Sequence, residues 1–85
     1  MKIAVFDTYV SKKDGGIMHF DILVPEHETV EKVLAYGRMY LSVKGQKGQP
    51  ITSKECRFCH IEKATDDVAY NIGMNGYSII EMEGC

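Results

Sequence analysis

Two strand-like runs, joined by the short charged stretch SKKDGG, constrain this chain more than any other feature. Residues 2–10, KIAVFDTYV, are rich in β-branched and aromatic types and predict a strand. Residues 17–24, IMHFDILV, alternate with period two: Met18, Phe20, Ile22 and Val24 share one face, and His19 and Asp21 lie on the other. Between them Asp14-Gly15 is a turn dipeptide, because glycine takes the positive φ that a tight hairpin turn requires. The chain therefore begins with an antiparallel hairpin, and a hairpin must extend into a sheet and cover its apolar face to be stable.

The rest of the sequence supplies the cover and the further strands. Pro25 ends the second strand, since it has no N–H for a ladder. The periodicity then becomes helical over HETVEKVLAYGRMYLS, with Val30, Val33, Leu34, Gly37 and Leu41 in one stripe and Thr29 as N-cap. Gly37 in mid-helix costs about 1 kcal/mol against alanine, so it implies close packing on a sheet. Residues 43–54, VKGQKGQPITSK, are a basic loop. ECRFCHIE, 55–62, predicts a third strand. Thr65 caps a short helix that starts with Asp66 and Asp67, which suit its positive end. Asn75-Gly76 is a turn before a last strand, YSIIEME. The order β-β-α-β-α-β predicts an α+β fold, a two-layer sandwich with a four-stranded sheet and both helices on one face. With 85 residues and no linker or repeat, residues 1–85 are expected to form one domain.

Composition excludes several classes. Ten Lys and Arg against 12 Asp and Glu give a net charge of −2, without the basic excess that marks nucleic-acid binding. No run approaches the ~20 apolar residues of a membrane span. The start, MKIAVFDTYV, breaks its apolar run at Asp7 and lacks the core of an export signal. A cytoplasmic protein is expected. Three cysteines, an odd number, then predict free thiols and not a disulfide scaffold. No Walker or Ser-His-Asp pattern is present, so no catalytic residue is assigned.

One motif carries chemistry. Cys56, Cys59 and His60 have the C-x-x-C-H spacing of covalent haem attachment. In a strand, residues three apart point to opposite faces, so two thiols at 56 and 59 cannot reach one porphyrin edge. Haem is therefore not expected, and neither is a thioredoxin-like pair, which needs a helix N-terminus to lower its thiol pKa. The same alternation puts Cys56, Phe58 and His60 on one face and Cys59 and Ile61 on the other. Cys56, His60, His19 and Asp21, joined by Asp7 if the hairpin register allows, then form a candidate metal cluster on the uncovered face. Mixed Cys and His donors point to zinc or copper if a metal is bound. The alternative arrangement is Cys59 in the core and the other residues on a solvated face.

The segments VFDTYV, GGIMHFDILVP, ECRFCHIEKA and GYSIIEMEGC together resemble a small bacterial family of single-domain α+β proteins defined only as a domain of unknown function. The resemblance spans the chain and implies the same fold, but it lends no catalytic residues or cofactor. The expected function is a small binding or adaptor domain without catalysis of its own, taking a protein partner or self-associating through an exposed sheet edge. The competing function is Cys/His-dependent metal binding or redox sensing.

Overall fold

Gly15, at φ +95°, turns the chain between β1 (Lys2–Ser11) and β2 (Ile17–Pro25). In the computed structural model, which describes residues 1–85, these strands pair antiparallel from Ile3 opposite Pro25 to Ser11 opposite Ile17. Even-numbered residues of both strands share one face and odd-numbered residues the other, because each residue is opposite one of the same parity. Helix α1 (Val30–Val43) follows, capped by the Thr29 side chain, which accepts from the Lys32 N–H. Then come β3 (Cys56–Lys63), α2 (Asp66–Asn75, capped by Thr65) and β4 (Ser78–Glu83). The strands form one antiparallel sheet in the order β3-β1-β2-β4, so the hairpin is central and β3 and β4 are the edges. The α+β class and the β-β-α-β-α-β order are as the sequence predicts.

The helices do not share a face. Val33, Tyr40 and Leu41 of α1 pack with Ala4, Phe6, Val10, Met18, Phe20, Ile22 and Val24, the even face. Val68 and Ile72 of α2 pack instead with Ile3, Val5 and Leu23, the odd face. This corrects the two-layer expectation. The reason lies in β1, whose run Ile3-Ala4-Val5-Phe6 is apolar on both sides and needs cover on both. The β3-to-β4 connection must cross from one edge to the other, and it carries α2 over that second apolar patch.

α2 covers only one end of the odd face. The other end carries Asp7, Tyr9, His19 and Asp21, and no helix lies over it. On the even face the Tyr40 hydroxyl donates to Glu81 Oε2 at 2.5 Å, tying α1 to the edge strand β4. Gly37 sits where α1 meets the sheet. A Cβ there would clash with Ile51 Cδ1 and lie 3.2 Å from Ile22 Cδ1. Gly37→Ala is expected to lose about 1–2 kcal/mol, since overpacking of the buried Ile51 and Ile22 outweighs the gain in helix propensity. Urea denaturation checks this; a stabilised variant would mean that Ile51 yields freely.

Candidate functional site

β1 and β2 place Asp7 directly opposite Asp21 and Tyr9 directly opposite His19, all on the odd face. The His19 Nε2–H donates to Asp7 Oδ1 at 2.6 Å, and the Tyr9 ring stacks on the imidazole at 4.0 Å and 10°. Strand pairing thus fixes the backbone of all four residues, and the stacked Tyr9 fixes the plane of the imidazole. One ligand atom each from Asp7, His19 and Asp21 lies within 4.8 Å of the others. Asp21 Oδ1 is shielded from solvent and, with both carboxylates ionised, has no donor facing it. Burial, then hydrogen bonding and charge repulsion from Asp7, push the Asp21 carboxyl up to about 6, while His19 and His60 pull it back down. Two carboxylates side by side resist joint ionisation, and a shared proton or a cation relieves both.

The residues proposed from sequence divide between the two faces. Thr8 is opposite Cys56, Asp7 opposite Arg57 and Phe6 opposite Phe58, but Val5 is opposite His60. Cys59 is the extra residue of a β-bulge, which reverses the alternation beyond it. Cys56 and Phe58 therefore lie on the even face and His60 on the odd face, contrary to the expectation that the three share one side. Cys56 is in the core, and burial pushes its thiol pKa up, which holds it as the unreactive thiol. Cys59, expected in the core as the alternative, is exposed. It touches His60, with Sγ 3.2 Å from Nδ1, a contact that the bulge permits because regular alternation would point the two side chains to opposite faces. The His60 Nε2–H donates to Glu62 Oε1 at 2.6 Å. Of the four proposed ligands, His19 and Asp21 are brought together, His60 stands on the same face, and Cys56 is on the other side of the sheet.

Asp7, conditional in the sequence, completes the cluster once the register is known. Sequence reasoning missed Tyr9 and Glu83. Tyr9 was legible only as an odd-numbered neighbour of His19. Glu83 lies across from His19 because a second register shift, between His19 and Phe20, carries it there. Neither of the two surface depressions, one beside the loop at 47–52 and one around Met1 and Ile61, includes the cluster. The site is an open patch on a sheet, suited to a small ion or a surface contact and not to enclosure of an organic substrate.

The fold and this patch define a small α+β domain with a helix on each face of one sheet and a His–carboxylate cluster on the face left half open. The chain belongs to the family described as Domain of unknown function (DUF2024), whose model matches residues 1–82. It is similar to protein NE1680 from Nitrosomonas europaea, solved by NMR, at 48% identity over 100% of this chain and 99% of that one, with a TM-score of 0.88. No curated protein matches the sequence. No helix is long and apolar enough to cross a membrane.

Proposed function

We propose that this is a binding domain without catalysis of its own, and that its ligand is a divalent transition-metal ion, zinc in the first instance, held by Asp7, His19 and Asp21. The observation that carries this reading is the convergence of three donor atoms within 4.8 Å around a shielded, unpartnered Asp21 Oδ1. Zinc takes imidazole nitrogen and carboxylate oxygen at about 2.0–2.2 Å, and sites with three protein ligands leave a fourth position open. A cation between Asp7 and Asp21 would also offset the burial of the Asp21 charge and the repulsion from Asp7 that adds to it. The cluster lies on the uncovered half of the sheet, so a position left open by three protein ligands would be accessible to a water or a partner.

Calorimetric titration of the untagged full chain with zinc at neutral pH tests this. One equivalent is expected to bind, with loss of binding in His19→Ala and Asp21→Asn and retention in Cys56→Ser and His60→Ala. Absence of binding at about millimolar zinc, roughly 4 kcal/mol of affinity, would overturn the reading.

A second reading rests on a separate observation. The Cys59–His60–Glu62 line, with contacts of 3.2 Å and 2.6 Å, sets an exposed thiol beside an imidazole oriented by a carboxylate. That arrangement suits an oxidant-sensing thiol. If zinc binding were lost in Cys59→Ser and His60→Ala but kept in Asp21→Asn, the functional centre would move to this edge strand.

A further inference from the structure

β3 is an edge strand of eight residues, a free edge of roughly 27 Å at ~3.4 Å per residue. No helix or other strand covers its outer edge, and despite the bulge at Cys59 it exposes two large apolar side chains, Phe58 at 57% and Ile61 at 43%. The bulge and the charges of Arg57, Glu62 and Lys63 deter indiscriminate pairing, but the exposed apolar pair points to one specific occupant. We infer that β3 pairs antiparallel with β3 of a second copy of this chain about a two-fold axis between Cys59 and His60, making one eight-stranded sheet. This goes beyond the metal-binding reading and does not depend on it.

The bulge selects that register. A two-fold axis perpendicular to a sheet maps each face onto itself, so paired residues must lie on the same face. In an unbroken strand such pairs differ by an even number. In β3 the extra residue at Cys59 reverses the alternation, so Phe58 and Ile61, three apart, face the same side, as do Arg57 and Glu62. Pairing about the centre of the strand then sets Phe58 opposite Ile61 twice on the even face and Arg57 opposite Glu62 twice on the odd face. Cys59 falls opposite His60, and Cys56 opposite Lys63. Sliding the register by two either way puts Phe58 opposite Cys59, or His60 opposite Ile61, and the faces no longer match. Every position is satisfied in one register.

Charge agrees with geometry. Arg57 has no ion pair within its own chain, and only its Nε is engaged, donating to the Lys54 carbonyl at 3.3 Å. A partner's Glu62 supplies the missing carboxylate. The other edge does not offer this. β4 carries Glu81 and Glu83 and no basic residue, so pairing it with itself adds only like charge. A β3-to-β4 contact would be heterologous and would propagate into filaments, whereas a β3 pair closes.

Sedimentation equilibrium of the full chain over a range of concentrations tests the proposal. The expected result is a reversible approach to twice the 9.6 kDa of one chain. Arg57→Glu and Glu62→Arg are each expected to weaken association by about tenfold, because each sets two like-charge pairs across the axis. The double variant Arg57→Glu/Glu62→Arg is expected to restore it. That rescue separates pairing from loss of fold, because Arg57→Glu alone also faces Asp7 within the chain. Concentration-dependent NMR shifts of the wild type, confined to the amides of 56–63 and their surroundings, provide a readout without any substitution. A monomer at millimolar concentration, a dimer indifferent to both single changes, or shift changes confined to β4 would each overturn the inference.

Discussion

Phe20→Ala is expected to cost about 3–5 kcal/mol, the range for truncating a large buried aromatic, and so to leave the domain marginal or unfolded at 37 °C. Phe20 is 0% exposed and lies at the centre of the even face, its ring 4.6 Å from that of Tyr40. Two features prevent collapse around the gap. Below it, β1 and β2 are held by ladder pairs, with Thr8 directly opposite and itself fully buried. Above it, Tyr40 is held by its hydroxyl bond to Glu81, whose carboxylate also pairs with Lys44 at 3.0 Å. A chain of this size commonly has about 4–13 kcal/mol in total, so the loss is a large part of what exists. Phe58→Ala is the internal control. It removes the same side chain from the same face, but at 57% exposure and with only an edge contact to Phe6 at 5.8 Å. About 1 kcal/mol or less is expected there. Urea midpoints of the two variants, at a concentration low enough that sedimentation shows a monomer, decide the matter, and equal losses there would mean that the core is not where the burial places it.

The contrast between those two phenylalanines also shows what the sequence could convey. Phe20 is legible because β2 alternates without interruption from Met18 to Ile22, so one assignment fixes the rest. β3 is not legible in the same way, because a bulge leaves no mark in a pattern read two residues at a time. Cys56, Arg57, Phe58, Cys59, His60 reads as a regular strand, and only pairing against β1 shows that Cys59 is the additional residue. That single step moved His60 to the face of Asp7, His19 and Asp21 and left Cys56 behind in the core. The misplacement of α2 has a different origin. The clue was the continuous apolar run of β1, which calls for cover on both faces, and Leu23, which breaks the polar set of His19 and Asp21 on β2. The two-layer expectation gave the short, weakly amphipathic second helix no face of its own. The cluster itself was half legible: His19 and Asp21 are fixed by alternation alone, whereas Asp7 depends on hairpin register and Glu83 on an irregularity in β4.

Asp21→Asn is expected to stabilise the protein at neutral pH and at the same time abolish its response to zinc. Burial first, then Asp7, raise the Asp21 carboxyl from 3.8 to about 6, so the folded state holds this proton more tightly than the unfolded state does. The sign follows from linkage. Below about pH 4 both states are protonated and the full stability is present. Between about pH 4 and 6 the unfolded chain loses its proton first, and stability falls as pH rises; above about 6 the loss is complete. Discounted for the solvent that reaches this patch, the penalty is on the order of 1–2 kcal/mol at pH 7. Asparagine carries no charge to desolvate, and its Nδ2–H can donate to the Asp7 carboxylate where the native carboxylate repels it. The variant should therefore melt about 5–10 °C higher at pH 7, and the gap between the two proteins should open between pH 4 and 6, where the wild type declines relative to the variant. Zinc reverses the order. At a hundredfold excess over Kd it adds about 2.7 kcal/mol to the wild type and nothing to the variant, which has lost a ligand. A stability penalty that a ligand removes is the mark of a site retained for binding and not for the fold. Melting curves of both proteins at several pH values, with zinc and with chelator, measure all of this together. A wild type with no decline relative to the variant between pH 4 and 6 would mean that Asp21 is not held in its charged form against a penalty. A variant that still responds to zinc would remove Asp21 from the metal site.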